Sequence, residues 1–231
     1  MKRILLLLCL TAPLLLADGL KNQDKTIKLK RSPGPIVVDG IIDAAWNQAD
    51  SVSDFFQLSP YFAKAPSRKT VIKMLTSEES IYCLFICYDE PENITKYTGQ
   101  QDQGGGDIVS FMIDTFNDQK TAYKFAVTAS GIRADCRLLD DARNRDYNWD
   151  GIWFSDAKIY DWGFVIEMEV PYKSIQYDEK QIFWGIDFDR FRPINNEDLY
   201  WCNYVENEGQ RVSKFGKLVF EEFKPTTKGL N

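Results

Sequence analysis

Side-chain chemistry near neutral pH most often relies on histidine, and this chain of 231 residues contains none. Its absence removes Ser-His-Asp and Cys-His nucleophile pairs, histidine-based zinc or iron sites and histidine-ligated haem. No G-x-S-x-G elbow or lysine-bearing phosphate loop is present either. The carboxylates remain. Glu167 and Glu169 stand two apart in G-F-V-I-E-M-E-V-P, which on a strand puts their Cα atoms roughly 6.7 Å apart on one face. Their carboxyl groups could reach the spacing of an inverting glycosidase. Alternating acids are also what one-sided burial of a strand produces, and on that ground the chain is read as non-catalytic.

Binding chemistry has better candidates. Trp149 lies in the polar stretch N-W-D-G beside Asp150, and Trp201 lies in L-Y-W-C-N-Y with Asn203 two residues on. Arg190, in F-D-R-F-R, adds a planar donor. Aromatic rings stack on the C–H face of a sugar while planar polar side chains bond its hydroxyls. Trp149, Asp150, Trp201, Asn203 and Arg190 are therefore the candidate carbohydrate-binding set, with core packing at strand ends as the alternative for both tryptophans. Trp46, Trp153, Trp162 and Trp184 read as structural. Asp114, Asn117 and Asp118, in D-T-F-N-D-Q, could offer oxygen ligands to Ca²⁺, as could Asp140, Asp141, Asp146 and Asp150. Neither group has EF-hand spacing, and acidic turns are ordinary turn chemistry. The triple glycine 104–106 would cradle phosphate only before a helix, and a strand follows it.

These residues need a scaffold, and the periodicity supplies one. Phe164, Ile166, Met168 and Val170 alternate with Val165, Glu167 and Glu169, the pattern of a strand with one dry and one wet face. The segment I-Y-C-L-F-I-C-Y (81–88) is apolar on both faces and belongs in the middle of a sheet. Similar short runs recur with turn signals between them, giving ten or eleven strands and almost no helix. The fold expected is an all-β antiparallel β-sandwich of jelly-roll type. Residues 36–54 read as a short strand, an Asp39-Gly40 turn and a helical turn capped by Asp43, with Trp46 as a core plug.

Residues 1–17 have a basic start, an apolar run and a terminal Ala17, the layout of a secretory signal peptide. The run is short for a bilayer span. Residues 18–35 read as a linker, 36–222 as the sandwich and 223–231 as a tail. A leader takes Lys2 and Arg3 with it and no acid, so the net charge moves from −6 to about −8. An acidic, unpatterned surface argues against nucleic acid and anionic lipid as partners. Of the cysteines beyond the leader, Cys83 and Cys87 sit roughly 13 Å apart along one strand and cannot bond to each other. Disulfides to Cys136 and Cys202, or four small buried hydrophobes, both fit.

Several motifs together carry a resemblance. D-G-I-I-D-A-A-W (39–46), D-I-V-S-F-M-I-D-T-F-N-D (107–118), W-D-G-I-W-x-x-x-A-K-I (149–159), V-I-E-M-E-V-P-Y (165–172), W-G-I-D-F-D-R (184–190) and S-K-F-G-K-L (213–218) resemble a family 9 carbohydrate-binding module. The version most similar stands at the N-terminus of exported bacterial proteins that continue into an outer-membrane-type β-barrel. The resemblance implies a jelly-roll sandwich, non-catalytic sugar binding, Ca²⁺ in some members and frequent linkage to enzymes that break down xylan or other polysaccharides. It implies an address in the periplasm, at the outer membrane or outside the cell, with a barrel or envelope enzyme as a further partner. Two departures stand out. Where such modules carry a pair of sugar-clamping tryptophans, this chain reads Q-G-G-G-D (103–107) and E-G-Q-R-V (208–212), and Ser110, Ala126 and Thr128 replace the polar partners. A cell-envelope protein-interaction module that has lost sugar binding is the alternative.

Overall fold

The computed structural model describes residues 22, 24–102, 105–221 and 225. The expected leader and most of the expected tail lie outside them. Fourteen strands are present among the described residues: β1 Thr26–Arg31, β2 Asp50–Val52, β3 Phe56–Ser59, β4 Thr70–Thr76, β5 Ser80–Tyr88, β6 Ile108–Asp114, β7 Ala122–Thr128, β8 Arg133–Leu139, β9 Asn144–Asp146, β10 Phe154–Tyr160, β11 Gly163–Pro171, β12 Phe183–Arg192, β13 Glu197–Tyr200 and β14 Gly216–Phe220. The only helical pieces described are 3₁₀ turns of three to five residues.

One layer runs β10-β11-β5-β4, and the other runs β14-β12-β6-β7-β8-β9 with β13 and β3 beside β12. All pairings within each run are antiparallel, as expected. The seam is different. Strand β1 pairs in parallel with β14 through Thr26–Leu29 and then, through Lys30 and Arg31, with β4. The stretch expected as a linker thus contains the strand that joins the layers. Its Ile27 and Leu29 are fully buried between them.

Inward faces follow the period of two. Phe164, Ile166, Met168 and Val170 of β11 meet Val109, Phe111 and Ile113 of β6, Phe125 and Val127 of β7, and Ile186 and Phe188 of β12 in one core. Phe85 of β5 reaches across to Phe188 edge-on, 6.1 Å between ring centroids. Each such side chain contributes about 1.5–3 kcal/mol, an upper value because the unfolded chain already hides some of it. Strand β5 lies between β11 and β4, the central place its composition calls for. Cys83, Cys87 and Cys202 lie in this core and Cys136 lies in a smaller cluster outside it; all four thiols are free and buried.

The outer face of the first layer is covered over β4, β5 and β11, while most outward side chains of β10 stay exposed. Residues 36–49 fold over it, and Trp46 packs with Leu75, Leu84, Ile86 and Val165. Glu167, expected to face water, is fully buried beneath this cover. Its carboxylate accepts the Trp46 indole N–H at 2.9 Å and the backbone N–H groups of Asp39 and Gly40 at 3.1 and 3.0 Å. Gly40 is needed here, since its φ is +74° and any Cβ would meet the Lys158 side chain at 2.7 Å. Asp43 does not cap the helical turn with its side chain; it accepts the Val37 N–H at 2.9 Å instead. Replacing Trp46 by Ala strips the cover of its anchor and removes one donor from a buried carboxylate. The expected loss is about 3–5 kcal/mol, read as a shift in the urea midpoint.

Candidate functional site

The outer face of the second layer is a concave surface floored by β6, β7, β8 and β12. Two adjoining cavities, about 460 and 380 Å³, share Ile108, Lys124 and Arg145 in their linings. Alternation explains why polar side chains collect here. Val109, Phe111 and Phe125 point to the core, so their neighbours Ser110, Lys124 and Ala126 point out, and Asp189 of β12 sits opposite Ser110 in register.

Asp189 holds the floor together. It accepts a hydrogen bond from the Ser110 hydroxyl and an ion pair from Lys124 Nζ at 2.6 Å. Asp198 and Tyr200 of β13 form one wall, and Tyr147, 64% exposed, forms the rim beside Arg145. Gly105 and Gly106 border the groove, and the Gln210 amide touches Met112 on the same face at 3.2 Å. Of the two segments in which the resemblance places aromatic clamps, Gly105 and Gly106 of the first and Gln210 of the second reach this face, and neither segment has an aromatic in its sequence. The aromatics of this face come from Tyr147, Phe191 and Tyr200 instead.

The structure treats the five sequence candidates differently. Trp201 is 1% exposed, packs on Phe188 and donates its indole N–H to Asp54 at 2.8 Å. Arg190 is fully buried and bonds Asp89 at 2.8 Å and Thr70 at 3.1 Å. Neither offers a surface to a sugar, because both side chains are buried and bonded to partners distant in sequence. Asn203 bonds the side chain of Asn22 at 3.0 Å. Asp150 is exposed and Trp149 is half-buried, its ring against Tyr123 and Phe125. No contact joins Trp149 to Trp201 among the described residues. Glu169 bonds Ser80 and Tyr82, and Glu167 is covered as above, so the two acids do not face a common opening.

The expected calcium ligands have other work. Asp114 is buried and takes the backbone N–H groups of Phe116, Asp118 and Gln119 at 2.9–3.2 Å, while Asp118 takes those of Lys120 and Thr121. Donors aimed at these oxygens would face a cation with positive charge, so Asp114 and Asp118 do not fit Ca²⁺ as arranged. No three acid, cysteine or histidine side chains gather as metal ligands among the described residues.

Sequence reasoning missed Lys124, Asp189, Asp198 and Tyr147. Tyr147 was within reach, since it shares with Trp149 the polar loop that singled out the tryptophan.

Comparison with known proteins fixes the family. A family model described as carbohydrate family 9 binding domain-like matches residues 38–222. The chain belongs to that family. Among solved structures, the chain is similar to a family 9 carbohydrate-binding module from Caldicellulosiruptor kristjanssonii in complex with cellotriose, with 15% identity and a TM-score of 0.61 over 90% of this chain and 97% of that one. It is likewise similar to a family 9 module from the same organism in complex with glucose, with 14% identity and a TM-score of 0.63 over 88% and 100% of the two chains. At these identities the likeness shows the shared fold. No curated protein matches the chain.

Burial and the neighbouring Asp189 push the Asp198 carboxyl from its ordinary 3.8 up to about 7. Burial likewise lifts Asp187 and Asp114 to about 6. Between about pH 4 and 7 the folded protein keeps protons that the unfolded chain has released, so stability falls as pH rises through this window. The melting temperature is expected to drop from pH 4.5 to pH 7.5, and Asp198→Asn is expected to flatten that slope.

Proposed function

We propose that the protein is an exported, non-catalytic module that holds a carbohydrate in the groove above Lys124 and Asp189, keeping a polysaccharide close to enzymes that break it down. The observation that carries the reading is the groove itself. It lies on the face where both clamp segments of the family end, it is open to solvent, and its floor is a preformed ion pair. A carboxylate and an ammonium 2.6 Å apart can accept from and donate to adjacent hydroxyls of one pyranose. Tyr147 at the rim supplies an aromatic surface for the C–H groups. Family membership and the sugars in the two Caldicellulosiruptor kristjanssonii structures support the ligand class.

Titration calorimetry against cello- and xylo-oligosaccharides tests this. A hydrogen bond from a charged group contributes about 1.5–3 kcal/mol, so Lys124→Met is expected to weaken binding about ten- to a hundredfold. Ala126→Trp, which fills the floor, is expected to abolish it with the circular dichroism unchanged. Absence of heat with every oligosaccharide, or binding that ignores both substitutions, would remove the assignment.

Export is supported by the apolar run 4–16 behind Lys2 and Arg3. Protein recovered outside the cytoplasm is expected to begin at or near Asp18 on N-terminal sequencing. A retained Met1 in that fraction would contradict it.

A further inference from the structure

A second cavity lies away from the groove, where the loop carrying Trp149 meets the connection between β11 and β12. It is about 510 Å³ and is lined by Tyr123, Trp149, Tyr177, Arg137, Lys173 and Gln176 among others. Its charge is unlike that of the chain. The protein has a net charge of −6, yet this lining contains two cations and no carboxylate.

Neither cation is matched. Among the described residues, no carboxylate lies within ion-pair distance of Arg137 or Lys173. Arg137 has an acid directly across the ladder, Asp146, but that carboxylate accepts the Asn148 N–H at 3.0 Å and its side-chain amide at 3.2 Å. The guanidinium instead lies over the Tyr123 ring, 5.7 Å from its centroid. Cation–π contact holds the group in place while leaving its N–H edge free for an anion.

The aromatic wall is fixed before any ligand arrives. Trp149 sits 4.8 Å from Tyr123 and 5.8 Å from Phe125, centroid to centroid. Gly151 runs so close that a Cβ there would meet the indole at 2.6 Å. The Tyr123 hydroxyl accepts the Gln176 backbone N–H at 3.1 Å, tying the connection to the sheet. A rigid ring beside two unmatched cations suits a ligand that has both a C–H face and a negative charge.

We propose that this cavity is a separate subsite for a uronic acid residue, its carboxylate held by Arg137 and Lys173 and its ring against Trp149. A planar guanidinium matches a carboxylate through two parallel charge-assisted hydrogen bonds, about twice as strong as those a neutral hexose hydroxyl accepts. A bare inorganic anion would leave the aromatic wall unused. The inference stands apart from the reading of the groove, because the two sites share no lining residue.

The test is calorimetry of the protein at low salt with trigalacturonate, cellotriose, a sulfated trisaccharide and inorganic sulfate. Trigalacturonate is expected to bind more tightly than the others at this site, and to lose at least about tenfold in Arg137→Met and in Lys173→Met. Both are rim substitutions that keep the apolar stem, and Lys124→Met in the groove is expected to leave trigalacturonate binding unchanged. Trigalacturonate binding no tighter than cellotriose, a preference for either sulfate ligand, or affinity indifferent to Arg137→Met and Lys173→Met would each overturn the proposal. Because the Lys124 variant reads the groove alone, failure at one site is distinguishable from failure at the other.

Discussion

The two layers are clamped at one end by a carboxylate that serves two arginines. Asp89, just past β5 in the first layer, takes Arg190 at 2.8 Å and Arg192 at 2.7 and 2.9 Å from β12 in the second, and Arg192 also pairs with Glu197 at 2.7 Å. All four groups are buried. Charges taken out of water are tolerated only when hydrogen-bonded from several sides, and removing one partner from such a set costs about 3–5 kcal/mol. The value of the cluster is therefore in specification more than in net stability. It admits one alignment of β12 against β5. That alignment puts Phe188 against Phe85 on the inside and Asp189 beside Lys124 on the outside.

The outward surfaces of the two layers have different fates. The first is roofed by residues 36–49, whose Trp46 and backbone N–H groups are drawn down by Glu167. The second is roofed only in part, where Val212 and Phe215 pack with Met112 and Leu138. The remainder stays open above Ser110, Ala126 and Ala134, whose small side chains leave depth where larger ones would fill it. A sandwich with one closed and one open face has a direction, and the groove is the result.

How much of this was legible in the sequence depended on how local the cause was. The inner face of β11 and the central place of β5 follow from alternation and composition, which are properties of neighbouring residues. Strand β1 was hidden because only Ile27 and Leu29 mark it among lysines, and its partners lie some 45 and 190 positions away in Leu75–Thr76 and Lys217–Phe220. Trp201 and Arg190 were misread for one shared reason. Polar surroundings suggested exposure, but the polar atoms that bond them come from distant parts of the chain: Asp54, at the surface, takes the Trp201 indole N–H while the ring stays buried, and Asp89, buried, takes Arg190. Glu167 repeats that lesson. Within the groove, Ser110 and Ala126 were recognised as departures from the family pattern, while Lys124 and Asp189, which hold its floor, emerge only when β7 and β12 are set on either side of β6.

The parallel pairing of β1 with β14 has a mechanical consequence. Both strands run the same way, so the chain enters the sandwich at one pole and leaves it at the other. Tension applied through the two ends would slide these strands past each other and load their backbone bonds, such as Lys217 N–H to Lys25 O at 2.9 Å and Glu221 N–H to Leu29 O at 3.0 Å, all at once. An antiparallel pair pulled from adjacent ends opens like a zipper, one bond after another. The seam that closes the two layers is thus also a shear joint, set where a pull along the chain would first be felt.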